Sequence, residues 1–167
     1  MKASQILSTV GLAAVSLGQT PPGFTPSVET KLEVIFGTKA VSTPGDSFTI
    51  AGKVDGFNSS TTSTYLHTVI RDFAPAAEAD ANGVYPLTTQ QTGPVTWFGP
   101  MPPAENPPRA HRYTNLIWEQ PDGTGWTIPQ SASSMLQTQR FGFNVASFQT
   151  AAALEDPISA VWFNVTG

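Results

Sequence analysis

Apolar and polar positions alternate along much of this chain, and the alternation predicts short strands rather than long helices. Leu32 to Phe36 (LEVIF) has the period of a half-buried strand, and Ser47 to Val54 (SFTIAGKV) is a second candidate. A turn signal, Thr43 to Asp46 (TPGD), separates them. Tyr65 to Phe73 (YLHTVIRDF) reads as the next strand, with Tyr65, His67, Val69 and Arg71 on one face and Leu66, Thr68, Ile70 and Asp72 on the other. Residues 56–64 and 74–92 read as loops, the second with a turn at Asn82-Gly83. Val95 to Phe98 is a short apolar piece. Arg112 to Gln120 (RYTNLIWEQ) is the strongest strand, closed by Pro121-Asp122-Gly123, and Ile158 to Val165 is the last. The period changes once. Asn144 is a good N-cap, and Val145, Phe148 and Ala152 share one side of a short helix over Val145 to Leu154, ended by Asp156-Pro157. Trp118, Trp162 and Phe163 stand mid-strand among apolar neighbours and are expected in the core.

Composition sharpens this picture. The 167 residues favour one domain large enough to bury a core. The chain has 14 glycines and 15 prolines, which break helices and favour strands joined by turns. Net charge is −4, and the 8 Lys and Arg residues are scattered. No basic stripe is present to follow a nucleic acid, and no polybasic segment to hold a membrane surface. With no cysteine there is neither a disulfide framework nor a thiolate site.

Lys2 followed by the uncharged apolar run Ile6 to Leu17 has the layout of a signal peptide over residues 1–18, with small Ser16 and Gly18 before a cut at Gln19. The run is too short to span a bilayer. A buried N-terminal helix is the alternative. A secreted, extracellular protein is therefore expected, with a mature domain over residues 19–167 opening on an extended Pro- and Thr-rich segment, 19–30. Two glycosylation sequons fit that route, at Asn58 and Asn164.

Hydrolytic machinery is not legible. There is no nucleophile elbow, zinc-protease motif or phosphate loop, so the chain reads as a binding protein, not an enzyme, with no cofactor. Its two histidines, His67 and His111, do not have a spacing that demands a metal. The distinctive stretch is Trp97 to Gln120, WFGPMPPAENPPRAHRYTNLIWEQ. Prolines there stiffen the backbone and leave carbonyls free, which gives a wall that loses little entropy on binding. An imidazole beside such a wall can donate a hydrogen bond to a phosphate or carboxylate.

The Gly99-Pro100-Met101-Pro102-Pro103 run followed by His111-Arg112-Tyr113 resembles the signature of the phosphatidylethanolamine-binding protein family. Leu66-His67 resembles the family's Leu-His-Trp strand, Arg140 to Phe148 (RFGFNVASF) its Phe-Asn-Val element, and Ala160 to Val165 (AVWFNV) its closing strand. The likeness implies a predominantly antiparallel, Greek-key-like β-sandwich with a short C-terminal helix. It implies a shallow site for a small anionic ligand or phospholipid head group, built from His67, Pro100, Pro102, His111 and Tyr113, with Phe98 and Phe148 as apolar lining. Arg112 is implied as structural, pairing with a carboxylate or carbonyls beneath the loop.

One departure stands out. The family's Asp-Pro-Asp-x-Pro segment, which precedes the Leu-His element, is absent, and a Ser/Thr-rich run lies between Gly56 and Tyr65. Three explanations remain open: a misassembled or spliced gene product, a diverged paralogue with an altered pocket, and an accidental likeness. Loss of a strand there would leave unpaired edges, which Ser47 to Val54 is a candidate to fill. Loss of the acid would weaken an aminoalkyl phosphate's hold, since its ammonium would lack a counter-charge. Against the pocket reading stand two others: a module acting through its surface on a partner such as a serine protease, and a non-functional truncated paralogue.

Overall fold

The computed structural model describes residues 18–36, 39–41, 43–49, 64–123 and 125–167. Most of the signal-peptide segment, the Asn58 sequon, and the loop expected over residues 56–64, save its last residue, lie outside the described residues. Nine strands and two short helices are seen among those described: β1 (Val34–Phe36), β2 (Lys39–Val41), β3 (Asp46–Thr49), β4 (Val69–Ile70), β5 (Ala74–Pro75), β6 (Leu87–Thr88), β7 (Pro94–Val95), β8 (Ala110–Ile117), α1 (Gln130–Thr138), α2 (Val145–Ala151) and β9 (Ser159–Thr166). The chain is mostly β, as its alternation implies.

The strongest strand signal and the last one become neighbours in the main sheet, ordered β3-β9-β8, with β9 at its centre. β8 and β9 pair antiparallel along their whole length, from Ala110↔Thr166 to Ile117↔Ser159. β3 joins β9 in parallel, so the sheet is mixed. Gly45 prepares this junction. Its φ of +86° suits glycine, its N–H donates to the Trp162 carbonyl at 2.9 Å, and a Cβ there would meet the Trp162 ring at 3.2 Å. Val161, Phe163 and Val165 alternate inward from β9 and pack with Val41 under Leu32, Val34 and Tyr113.

A second packing centre lies around the helices. Ala132 and Leu136 of α1, Phe148 and Ala152 at α2, and Val95, Trp126 and Phe143 are buried together, with Leu66 and Val69 against them. Asn144 caps α2 as its sequence predicts, accepting from the Ser147 N–H at 2.9 Å. α1 has no counterpart in the sequence expectation. Its segment, QSASSMLQT, is Ser-rich, begins after Pro129 without a side-chain cap, and has only two buried positions one turn apart. Such a helix owes its existence to tertiary packing rather than propensity.

Two further expectations are corrected. The strand expected over Tyr65 to Phe73 shrinks to β4, because Leu66 and Val69 both turn into the helical core and break strict alternation. Asp72 then takes a left-handed φ of 59°, held by reciprocal bonds with Gln120: its N–H donates to Oε1 at 2.7 Å and its carboxylate accepts from Nε2 at 3.0 Å. Residues 19–30 do not run extended either. The Gln19 N–H donates to the Val28 carbonyl at 2.8 Å, and Val28 N–H to the Thr20 hydroxyl at 3.3 Å, closing a loop that is stitched to β9 through Thr30, Leu32 and Ala160.

Candidate functional site

His67 and Tyr113 come from opposite packing centres and meet ring to ring. Tyr113 stacks on Phe163, its cross-strand partner, at 5.5 Å between centroids. His67 arrives from the other side. Leu66 packs on the helical core, and residues 64–67 run antiparallel to 140–143 through the Tyr65↔Phe141 bridge and the Leu66 N–H to Arg140 carbonyl bond at 2.8 Å. The Arg140 side chain clamps the same segment, donating to the carbonyls of Leu66 at 3.2 Å and His67 at 3.1 Å. The His67 ring lies 5.1 Å from that of Tyr113, edge-on, and 5.8 Å from that of Phe98, stacked. Tyr65 adds an edge contact at 5.3 Å.

Hydrogen bonding fixes the chemistry of this cluster. His67 Nδ1 is 2.8 Å from the Phe98 carbonyl, which can only accept, so Nδ1 carries the proton. Burial holds the imidazole below its ordinary value of 6.5, and nearby Arg140 adds to the effect, against the opposing pull of the Phe98 and Gly99 carbonyls. At neutral pH the ring is therefore uncharged and its Nε2 accepts. Tyr113 is pushed above 10.0 by burial, with a backbone hydrogen bond at Met101 opposing, and stays a protonated phenol.

The remaining expected residues divide. His111, two positions before Tyr113 on β8, shares its face of the strand and is half-buried. Its Nε2 lies 3.5 Å from Glu105 Oε1. Pro100 is half-buried and Pro102 buried, and the Pro102 and Pro103 carbonyls lie against the backbone of Gly167. Phe148 belongs to the helical core, buried against Phe143 at 5.5 Å, and has too little free surface to line an open site. Arg112 is exposed and makes neither an ion pair nor a side-chain hydrogen bond among the described residues, so the pairing with a carboxylate or carbonyls expected of it is not formed. Asn164 is half-buried and its side-chain amide, the atom a glycan would occupy, donates to the Gly45 carbonyl at 3.1 Å.

Three participants were missed by sequence reasoning: Arg140, Tyr65 and Glu105. Arg140 opens the quoted RFGFN stretch, but only the fold shows it holding residues 66 and 67. Glu105 is the sole acidic residue between Asp80 and Glu119, a signal that was available. Two clefts lie elsewhere, one of about 440 Å³ beside Arg71, Gln91 and Ile128, and one of about 420 Å³ between the Pro21–Phe24 turn and Trp162. Neither is lined by His67, His111 or Tyr113. Ring geometry, rather than cavity size, therefore marks the candidate site. Among the described residues no cluster of three or more metal-binding side chains occurs, and no helix is long and apolar enough to cross a membrane.

Comparison with known proteins decides what this arrangement belongs to. The family model for phosphatidylethanolamine-binding protein matches residues 39–158, well over half of the chain. The chain belongs to the phosphatidylethanolamine-binding protein family. That match takes in His67, the Pro-rich run, His111 and Tyr113. Among curated proteins, the chain is similar to "Phomoidride biosynthesis cluster protein N" of Talaromyces stipitatus, 26% identical over 181 aligned positions covering 87% of this chain and 88% of that protein. A protein of the same name from Fungal sp. is 35% identical over 71 positions, covering 41% of this chain and 30% of that protein. No solved structure matches the chain significantly.

Proposed function

We propose that this protein is a secreted binder of a small anionic organic ligand, held where His67, Tyr113 and the Pro-rich run meet on a Greek-key β-sandwich. The single observation that supports it is the contact of His67 with Tyr113, partly exposed side chains delivered to one place by separate packing centres. Tyr113 takes a hydrogen bond from the Met101 backbone, which leaves its O–H to donate to a phosphate or carboxylate. His67 in its neutral form offers that ligand only a lone pair. Protonation converts Nε2 to a charged donor while Nδ1–H keeps its bond to Phe98. Binding of an anion is therefore coupled to proton uptake at His67. Relatives named for a biosynthesis cluster favour a metabolite, phosphorylated or carboxylated, as the natural ligand.

Calorimetry with phosphoethanolamine and with a small carboxylate tests the reading. Binding is expected to tighten as pH falls through the His67 titration, to consume a proton, and to weaken about tenfold or more in His67→Ala and in Tyr113→Phe. Affinity indifferent to both substitutions would refute it. A second reading has its own observation: Trp97, Phe98, Met101 and Phe141 are large apolar side chains left exposed. That surface suits a protein partner, such as a serine protease, and an inhibition assay run beside the calorimetry separates the two.

A further inference from the structure

The cleft of about 440 Å³ is lined by Arg71, Gln91, Thr92, Gly93, Pro94 and Ile128, and by none of the rings at the candidate site. Its one charged side chain, Arg71, is held at both ends. At the backbone, the Thr89 hydroxyl donates to the Arg71 carbonyl at 2.8 Å and accepts the Gln91 N–H at 3.1 Å. A single group thus ties the end of β4 to the loop that faces it. At the head, Nη1 donates to the Trp126 carbonyl at 2.5 Å, and Nε lies 3.6 Å from the Asp72 carboxylate. That carboxylate is itself anchored elsewhere, accepting from Gln120 Nε2 at 3.0 Å and from the Gly125 N–H at 3.3 Å. The Arg71 side chain is nevertheless 33% exposed. A clamp on the Trp126 carbonyl accounts for Nη1 alone. Among the described residues, Nη2 makes no hydrogen bond, and neither does the side-chain amide of Gln91 or the hydroxyl of Thr92, both on exposed residues.

These groups specify a ligand. A guanidinium presents N–H donors in a planar fork that matches an oxyanion, and a fork already anchored loses little freedom when one binds. Gln91 and Thr92 add neutral donors beside it, while Pro94 and Ile128 supply apolar wall. Charge narrows the choice further. Asp72 offsets part of the Arg71 charge, which suits a monoanion better than a doubly charged phosphate. We propose that this cleft is a second ligand site, taking the carboxylate of a small organic acid whose apolar body covers Pro94 and Ile128. The two sites differ in their response to pH. Arg71 is the only titratable group lining the cleft among the described residues, and a guanidinium stays charged. The hydrogen bond from Gln120 holds the neighbouring Asp72 carboxyl below its ordinary range. The charge around the cleft is therefore constant between about pH 6 and 8. His67, by contrast, gains its second donor only on protonation.

Three probes test the site: hexanoate, hexanol (no charge) and ethyl phosphate (a second negative charge). Each is titrated by NMR and calorimetry into the full-length protein and into Thr92→Glu, Arg71→Gln and Asp72→Asn. Hexanoate should shift the amides of Arg71, Gln91 and Thr92, with the same affinity at about pH 6 and pH 8. At the higher pH it should bind about tenfold tighter than hexanol or ethyl phosphate. Thr92→Glu sets a carboxylate of the protein's own in the cleft and should weaken hexanoate about tenfold or more, as should Arg71→Gln. Thr92 is exposed and makes no side-chain bond, so that variant tests the site whether or not Arg71→Gln folds without its bond to Trp126. Asp72→Asn keeps a residue that tolerates the left-handed φ and removes the competing charge, so it should tighten hexanoate about threefold. Hexanol or ethyl phosphate binding as tightly as hexanoate, or an affinity that survives Thr92→Glu, overturns the proposal. Hexanoate shifts confined to His67, His111 and Tyr113, with affinity rising as pH falls, overturn the second site and uphold the first.

Discussion

The helical centre and the sheet centre of this molecule are built by opposite routes. The sheet centre is periodic: Val161, Phe163 and Val165 come from one strand at every second position, and their neighbours follow from its register. The helical centre is a gathering of short, unrelated pieces, in which Val95, Trp126, Phe143 and Phe148 meet from separate segments. His67 hangs from the second and Tyr113 from the first. Their contact is thus a seam, and either side can misplace it. A periodic sheet gives a site its rigid floor, while an irregular core gives it an adjustable rim.

Three measurements press on that contrast. Phe148→Ala should cost about 3–5 kcal/mol, since it empties a large buried side chain from the helical core. If the seam is mechanical, calorimetry on the folded fraction should also show weaker ligand binding, although Phe148 touches no ligand. Unchanged affinity would mean that the rim is held locally. Arg140→Met should cost less, about 1.5–3 kcal/mol, by removing charged hydrogen bonds to the Leu66 and His67 carbonyls. Thermal melts would give that figure, and NMR should show the His67 ring losing its contact with Tyr113 while the β8–β9 pairing persists.

The smallest effect is one of pH. Because His67 titrates below its ordinary 6.5 in the folded protein, the unfolded chain binds a proton first as pH falls. Stability should be unaffected by this group above about pH 6.5, decline through the window down to its folded value, and level off beneath it. His67→Gln should flatten that part of a stability-against-pH curve. A slope unchanged by the substitution would assign the acid sensitivity to another group.

How much of this was legible in the chain follows the same division. Arg112 to Gln120 and Ile158 to Val165 read as strands because alternation and register are local properties, and the ends of β8 and β9 lie within three residues of theirs. Asn144 announced α2 through a capping side chain. α1 sent no such message: Ser131, Ser133 and Ser134 are weak helix formers, and only Ala132 and Leu136 are buried, with Met135 partly so. The Tyr65 to Phe73 stretch misled because its apolar residues serve two masters, Val69 and Leu66 the helical core and His67 the seam. At the site, the Pro-rich run and both histidines were visible as a motif. Which nitrogen of His67 bears the proton, and that Glu105 reaches His111, depend on distances that no spacing encodes.

The parallel strand β3 carries a consequence for how the molecule comes into being. Its flanking turn is tied to β9 by a bond between Asn164 and Gly45, residues 119 positions apart. During synthesis the early strand has to wait for the whole stretch up to β9 to leave the ribosome before its neighbour exists. Closure over so long an interval is slow and leaves the backbone edge of the early strand unpaired meanwhile, so nascent chains of this protein should engage chaperones until β9 emerges.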